Sequence, residues 1–454
     1  MNHKKKVYRN LLLPKSMVEE LTKHTKGKTL QNCYYILYII THGFNKHDYM
    51  NFQSFRPIPN KRLFKMLGSG YITPLNILLF NGIIDRTEKF SASNCFRYRI
   101  APSYYCEKEY IKVKFSYYQK TDNTEQYEND VHELRAFIKN FRLLDIPFDE
   151  LYAKIDSKVD ELSINDYKTD DQVEWSYKKM DVTEIDEDWL FTTLKRLTKQ
   201  EALLIADQKN KLIVNDGQKI CMVDPEYFIL EQKNFTKLAW TASVDNLQEE
   251  STLYGKRNQT NNRLDTNFTN FSKELYDIIL THNQMGESDL MNSQPAILSH
   301  ILRKEGVQGD DVELFHHLTN NDGFYEYFIK DGMERNDAKQ MIFQVFFGKD
   351  RVDNPMTKRF RKIFPNVSRY ISAYKWEQGD NSFANLLQRF ESNLFIDKIY
   401  YDLLEQGITV FSKHDSISFF IKDREAVAQI IDKHFQSIGF SGKIRTEYKI
   451  KTAA

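Results

Sequence analysis

Arg335, Lys339, Phe343 and Phe347 stand four residues apart in one stretch of the chain, and Gly348 follows at once. A spacing of four lays successive side chains along one slowly drifting side of a helix, so two cations and two aromatic rings can face the same cleft. Such a surface suits a nucleoside triphosphate: cations against its phosphates, rings bordering base and sugar, and a glycine that lets the chain turn closely. An amphipathic helix with core aromatic residues and solvated cations has the same spacing, and that plainer reading stays open.

The series Arg-x-x-x-Lys-x-x-x-Phe-x-x-x-Phe-Gly resembles the fingers helix of family A DNA polymerases. Its Arg, Lys and final Gly are similar to those of phage-type single-subunit RNA polymerases. The resemblance implies two catalytic aspartates flanking the helix in the chain. Upstream, Ser288-Asp289-Leu290-Met291-Asn292-Ser293-Gln294-Pro295 resembles the first palm motif, in which an aspartate ends a strand and a polar stretch opens a helix. Downstream, a β-prone run at 408–411 leads to Lys413-His414-Asp415-Ser416 and a second run at 417–421, resembling the hairpin with His-Asp at its tip. Asn262-Arg263-Leu264 with Thr269-Asn270-Phe271, and Leu387-Gln388-Arg389-Phe390-Glu391-Ser392, are similar to segments that approach primer and template, the latter to a helix whose glutamine touches the template strand. The five motifs keep the family's order from about residue 261 onward, and the short stretch between Gly348 and Asp415 implies reduced fingers.

What the resemblance implies is phosphoryl transfer with two Mg²⁺ ions, or Mn²⁺ in their place, about 4 Å apart. Asp289 and Asp415, with the backbone carbonyl of Leu290, would be the metal ligands. Asp289, Asp415 and Lys339 form the implied catalytic set. Arg335, Lys339, Phe343, Phe347, Gln294 and His414 are expected at the nucleotide, and Arg263, Asn270, Gln388 and Gly348 at the primer–template. Sugar choice is divided: Phe343 and the bulky Gln294, five residues past Asp289, favour deoxynucleotides, whereas His414-Asp415-Ser416 resembles the RNA polymerase branch. No Asp-x-Glu strand motif suggests a proofreading exonuclease.

The elements expected to position these residues give an α+β chain. Residues 1–115 read as helices at Lys15–His24, 30–41, 60–67 and 72–84 around a turn at 68–70, then a strand at 96–100 after a polar stretch at 87–94. This order resembles a winged-helix domain. Residues 116–255 form an acidic helical and mixed region for which a thumb-like role is open, with helices at 131–144 and 148–162 and a hairpin across 211–223. Residues 256–454 would be palm, an antiparallel sheet with helices, and fingers. Charge follows the same division: residues 1–120 carry 21 Lys+Arg against 7 Asp+Glu, whereas 121–190 carry 8 against 20. The basic segment suits a polyanion partner and equally a solvated surface.

Four cysteines without a CxxC pair indicate neither a zinc ribbon nor a disulfide framework, and the run at 33–40 is too short to span a bilayer. The expectation is therefore a cytoplasmic DNA polymerase acting on template, primer and nucleoside triphosphates, with no membrane partner, in plasmid or phage replication. A single-subunit RNA polymerase or primase, and a non-catalytic DNA-binding replication initiator, are the rival readings.

Overall fold

The computed structural model describes residues 3–42, 56–86, 96–104, 109–121, 124–164, 179–185, 191–215, 220–321, 323–330, 332–349 and 355–450. The chain divides into two units, Met1–Tyr127 with Phe148–Leu253, and Glu128–Pro147 with Tyr254–Ala454. Among the described residues no single helix is long and apolar enough to cross a membrane.

In the first unit, strand His3–Pro14 pairs antiparallel along its length with Tyr110–Thr121. Alternation puts Leu11, Leu13, Val113 and Phe115 on a buried face. Helices Lys15–His24, Gly27–His42, Asn60–Leu67 and Ile72–Phe80 adjoin a small sheet ordered Arg56–Pro57, Arg97–Ile100, Ile84–Arg86. The helix expected over 72–84 ends earlier, because Asn81 caps Ile77 O at 2.7 Å and Gly82 turns the chain at φ 61°. The polar stretch 87–94 lies outside the described residues, so the likeness to a winged helix stays at the level of the sequence.

The same unit holds helices Phe148–Glu161 and Pro225–Asp245, tied by Tyr152 Oη donating to Asp245 Oδ1 at 2.6 Å. A four-stranded sheet follows the order Phe191–Leu197, Met180–Ile185, Ile220–Val223, Leu212–Asn215. Its second strand lies in the stretch 121–190, acidic and helical in sequence pattern, and corrects that pattern at 180–185. Met180 and Val182 alternate with Asp181 and Thr183 before Glu184 breaks the pattern, and Val182 is fully buried.

The second unit is built on a four-stranded antiparallel sheet ordered Val410–Lys413, Ser416–Phe420, Met285–Leu290, Ile444–Tyr448. Helices pack on it and on one another around Phe315, Phe324, Phe328, Phe346, Phe360 and Phe364, all buried. Burial of each such ring is worth about 1.5–3 kcal/mol. Helix Thr124–Phe141 lies mostly in this unit, where Asn140 Nδ2 donates to Val410 O at 2.8 Å and Phe137 meets Phe268 and Phe411 edge-on.

Candidate active site

Strand Met285–Leu290 alternates, so Glu287 and Asp289 share one face while Ser288 and Leu290 point into the protein. Register places Asp289 beside Ser416 on one neighbour and beside Arg445 on the other. Lys413 pairs with Ser416, leaving His414 and Asp415 as a two-residue hairpin loop. The loop requires His414 at φ 63°, left-handed backbone that costs a non-glycine residue on the order of 1–3 kcal/mol. Leu290 N donates to Asp415 O at 3.2 Å, fixing the tip beside the end of the strand.

One cleft is thereby lined by Glu287, Asp289, Asp415 and Glu447, by Lys273, Lys413 and Arg445, and by Tyr276, His414 and Ser416. Burial, with Asp415 and Glu287 adding repulsion, pushes the Asp289 carboxyl up to about 7, and Arg445 and Lys273 act the other way. Burial also raises Asp415, against its own backbone N–H, the Ser293 hydroxyl and Arg263. Two carboxylates held this close resist ionising together, and a divalent cation would relieve the repulsion. Among the described residues no three His, Cys, Asp or Glu side chains form a group able to hold an ion. A pair of carboxylates suits Mg²⁺, which keeps water and takes phosphate oxygens for its remaining positions.

The Arg335 series forms helix Arg335–Phe347 as its spacing requires, with Ala338, Met341, Ile342 and Phe346 buried. Arg335, Lys339 and Phe343 lie on the outer side, Phe343 being 62% exposed, and Phe343 stacks on Phe347 at 4.7 Å and 13°. The stripe is therefore a presented surface, and none of its residues lines the carboxylate cleft. Arg335 is held by Glu326 and lies 5.8 Å from the Tyr325 ring. Gly348 caps the helix where a Cβ would meet Gln344 O at 2.4 Å, and its carbonyl accepts from buried Lys375 Nζ at 2.8 Å.

Of the residues expected at primer and nucleotide, Asn270 Nδ2 donates to Tyr254 Oη at 3.2 Å and Gln388 Oε1 accepts from Asn261 Nδ2 at 3.0 Å. Arg263 and Gln294 meet at a residue to which the sequence reading gave no role. Glu391, 1% exposed, accepts from Arg263 Nε at 2.8 Å, Gln294 Nε2 at 2.6 Å and Ser293 Oγ at 3.2 Å. Its burial and the nearby Asp415 push its carboxyl up to about 7 despite Arg263. Glu287, which accepts from Ser416 Oγ at 2.7 Å, and Arg445 were also missed. Glu287 was detectable as the residue two before Asp289 on the same strand face; Glu391 carried no such signal.

No known family model matches the chain, and no curated protein matches it. Among solved structures, the chain is similar to the POL domain of Pol1 from M. smegmatis in complex with DNA primer-template and dNTP, at 12% identity and a TM-score of 0.38 over 67% of this chain. It spans just under two thirds, 66%, of that structure's chain.

Proposed function

We propose that the second unit is a template-directed nucleotidyltransferase of family A type, extending a DNA primer without proofreading. The observation that carries the reading is the meeting of Asp289, near the end of its strand, and Asp415, in the hairpin loop beside it, with carboxyls raised by burial and, at Asp289, by the facing acid. They would hold two Mg²⁺, aided by the Leu290 carbonyl. Bound there, the cations would activate the primer hydroxyl and neutralise charge on the leaving pyrophosphate.

The protein's own part is positioning and charge compensation. Lys339 and Arg335 meet the triphosphate, Lys339 as a point charge able to give up a proton to pyrophosphate and Arg335 as a bidentate clamp. Arg335 gives up Glu326 to do so, a small loss because both side chains are exposed. Phe343 and Phe347 offer a stacked aromatic face to the base. His414 borders the nucleotide, while Arg263, Asn270, Gln388 and Gly348 belong to the primer–template side. The basic segment 1–120 would bring the enzyme to DNA, in the setting of plasmid or phage replication.

Primer extension on a DNA template, with dNTPs or NTPs and Mg²⁺ or Mn²⁺, tests this directly. Extension that disappears in Asp289→Asn and in Asp415→Asn is expected. Extension untouched by both substitutions overturns the proposal, and exclusive use of NTPs moves it to the RNA polymerase branch.

A further inference from the structure

Glu391 is a buried carboxylate whose hydrogen-bonding capacity is filled by three residues from two separate segments. Oε1 takes Arg263 Nε at 2.8 Å and Nη2 at 2.6 Å, and Oε2 takes Gln294 Nε2 at 2.6 Å and Ser293 Oγ at 3.2 Å. Ser293 also reaches Asp415. The helix that carries Glu391, Ser382–Ser392, is stitched to the turn before Arg263: Arg389 Nε donates to Thr260 O at 2.8 Å and Ser392 Oγ to Asn262 O. Packing alone needs no charge here, since a buried ion pair commonly gains little over an apolar pair of the same volume.

What the charge does supply is direction. A carboxylate only accepts, so it draws the Nε2 side of the Gln294 amide toward itself and turns Oε1 the other way. That Oε1 is buried and has no hydrogen-bond partner among the described residues. A buried acceptor left unmatched costs about 1–3 kcal/mol, which a donor arriving with a ligand recovers.

Resting on the polymerase reading, we propose that Glu391 is a positioning residue for nucleotide selection. It aims Gln294 Oε1 at a sugar hydroxyl of the incoming nucleoside triphosphate and fixes Arg263, at the primer end, in the same frame. Sugar choice and primer alignment thus share one carboxylate.

Glu391→Gln tests this with little change of shape. The oxygen that Gln294 donates to becomes a donor, so the Gln294 amide must turn over and present its NH₂ outward. Nucleotide KM should rise about 5- to 100-fold, the range of one buried acceptor left unmatched, and the preference between dNTP and NTP should shift by about tenfold or more. With the correct nucleotide, kcat and the Kd for Mn²⁺ measured by EPR without nucleotide should stay within about threefold, because Glu391 touches neither metal nor reacting atoms. Gln294→Ala should give the same shift, and the double variant no more than either alone.

If Glu391→Gln fails to fold, Gln294→Glu against Gln294→Ala decides, since two facing carboxylates should raise KM further than truncation does. Wild-type extension with unchanged KM and sugar preference in Glu391→Gln overturns this inference and leaves the polymerase reading intact, as would independent, additive shifts or the reverse order at Gln294. A wild-type protein that extends no primer with either nucleotide set overturns both.

Discussion

The Asp289–Asp415 cleft and the Arg335 helix belong to one unit but are built in opposite ways. In the cleft every functional group is fixed by backbone: strand register sets Asp289, a two-residue loop sets Asp415, and burial raises both carboxyls. On the helix Arg335, Lys339 and Phe343 stand on an outer face, set only by a spacing of four, and the cations are exposed. Charge that must be concentrated is placed where the fold is over-determined. Charge that must meet a ligand of its own sign-complement is left wet, where it costs nothing to desolvate until the ligand comes.

That contrast can be broken in order of expected effect. Asp289→Asn or Asp415→Asn should lower primer extension by a factor on the order of 10³ or more, with folding retained by circular dichroism, since neither side chain holds the sheet together. Lys339→Ala should cost about 10²-fold in kcat/KM and Arg335→Ala about tenfold, the latter reduced because its pairing with Glu326 already competes. Equal losses for both cations would show that the outer face is not graded as described.

Effects on stability sharpen the comparison further. Gly348→Ala should lower stability by about 1–3 kcal/mol in denaturant titration, because the added Cβ meets Gln344 O at 2.4 Å and the exit of the helix must shift. Phe343→Ala should change it by no more than about 0.5 kcal/mol while raising nucleotide KM, as befits a ring 62% exposed.

A pH series separates the buried acid from the surface. Glu391 has its carboxyl raised to about 7, so the folded state holds that proton above the ordinary carboxylate range. Stability from this group is present below about 4.5 and is lost as pH climbs to about 7. The unfolding free energy of the metal-free wild type should therefore fall more between pH 5 and 8 than that of Glu391→Gln, by an amount on the order of 1–3 kcal/mol. Parallel curves would remove Glu391 from the set of strained groups.

Much of the site was legible because its signals are local. A helix repeats every four residues or so, a hairpin shows two β-prone runs with a short gap, and strand, aspartate and helix start follow one another at 285–304. Glu391 was not legible because its partners come from 263, 293 and 294, and nothing in Gln-Arg-Phe-Glu-Ser says which side of its helix meets that turn. The strand His3–Pro14 was missed for a similar reason, since its partner Tyr110–Thr121 is remote in sequence. Met180–Ile185 has a partner close by, Phe191–Leu197, but two acidic residues among its six and a broken alternation hid it. The helix at 72–84 was drawn too long because apolar Ile83 and Ile84 continued its pattern past the Asn81–Gly82 stop.

The strand that carries Asp289 finds no partner near it in the chain. It is flanked by Ser416–Phe420 and Ile444–Tyr448 and by nothing made earlier. Pairings of such long range close slowly, since the loop must be ordered before any contact rewards it. On the ribosome, the helices between 293 and 405 can form while the acid of the first motif waits alone, and the cleft closes only after residue 448 has emerged. A nascent chain thus lacks the assembled sheet around Asp289 until Ile444–Tyr448 has been made. In refolding, recovery of metal binding should lag the return of helical signal.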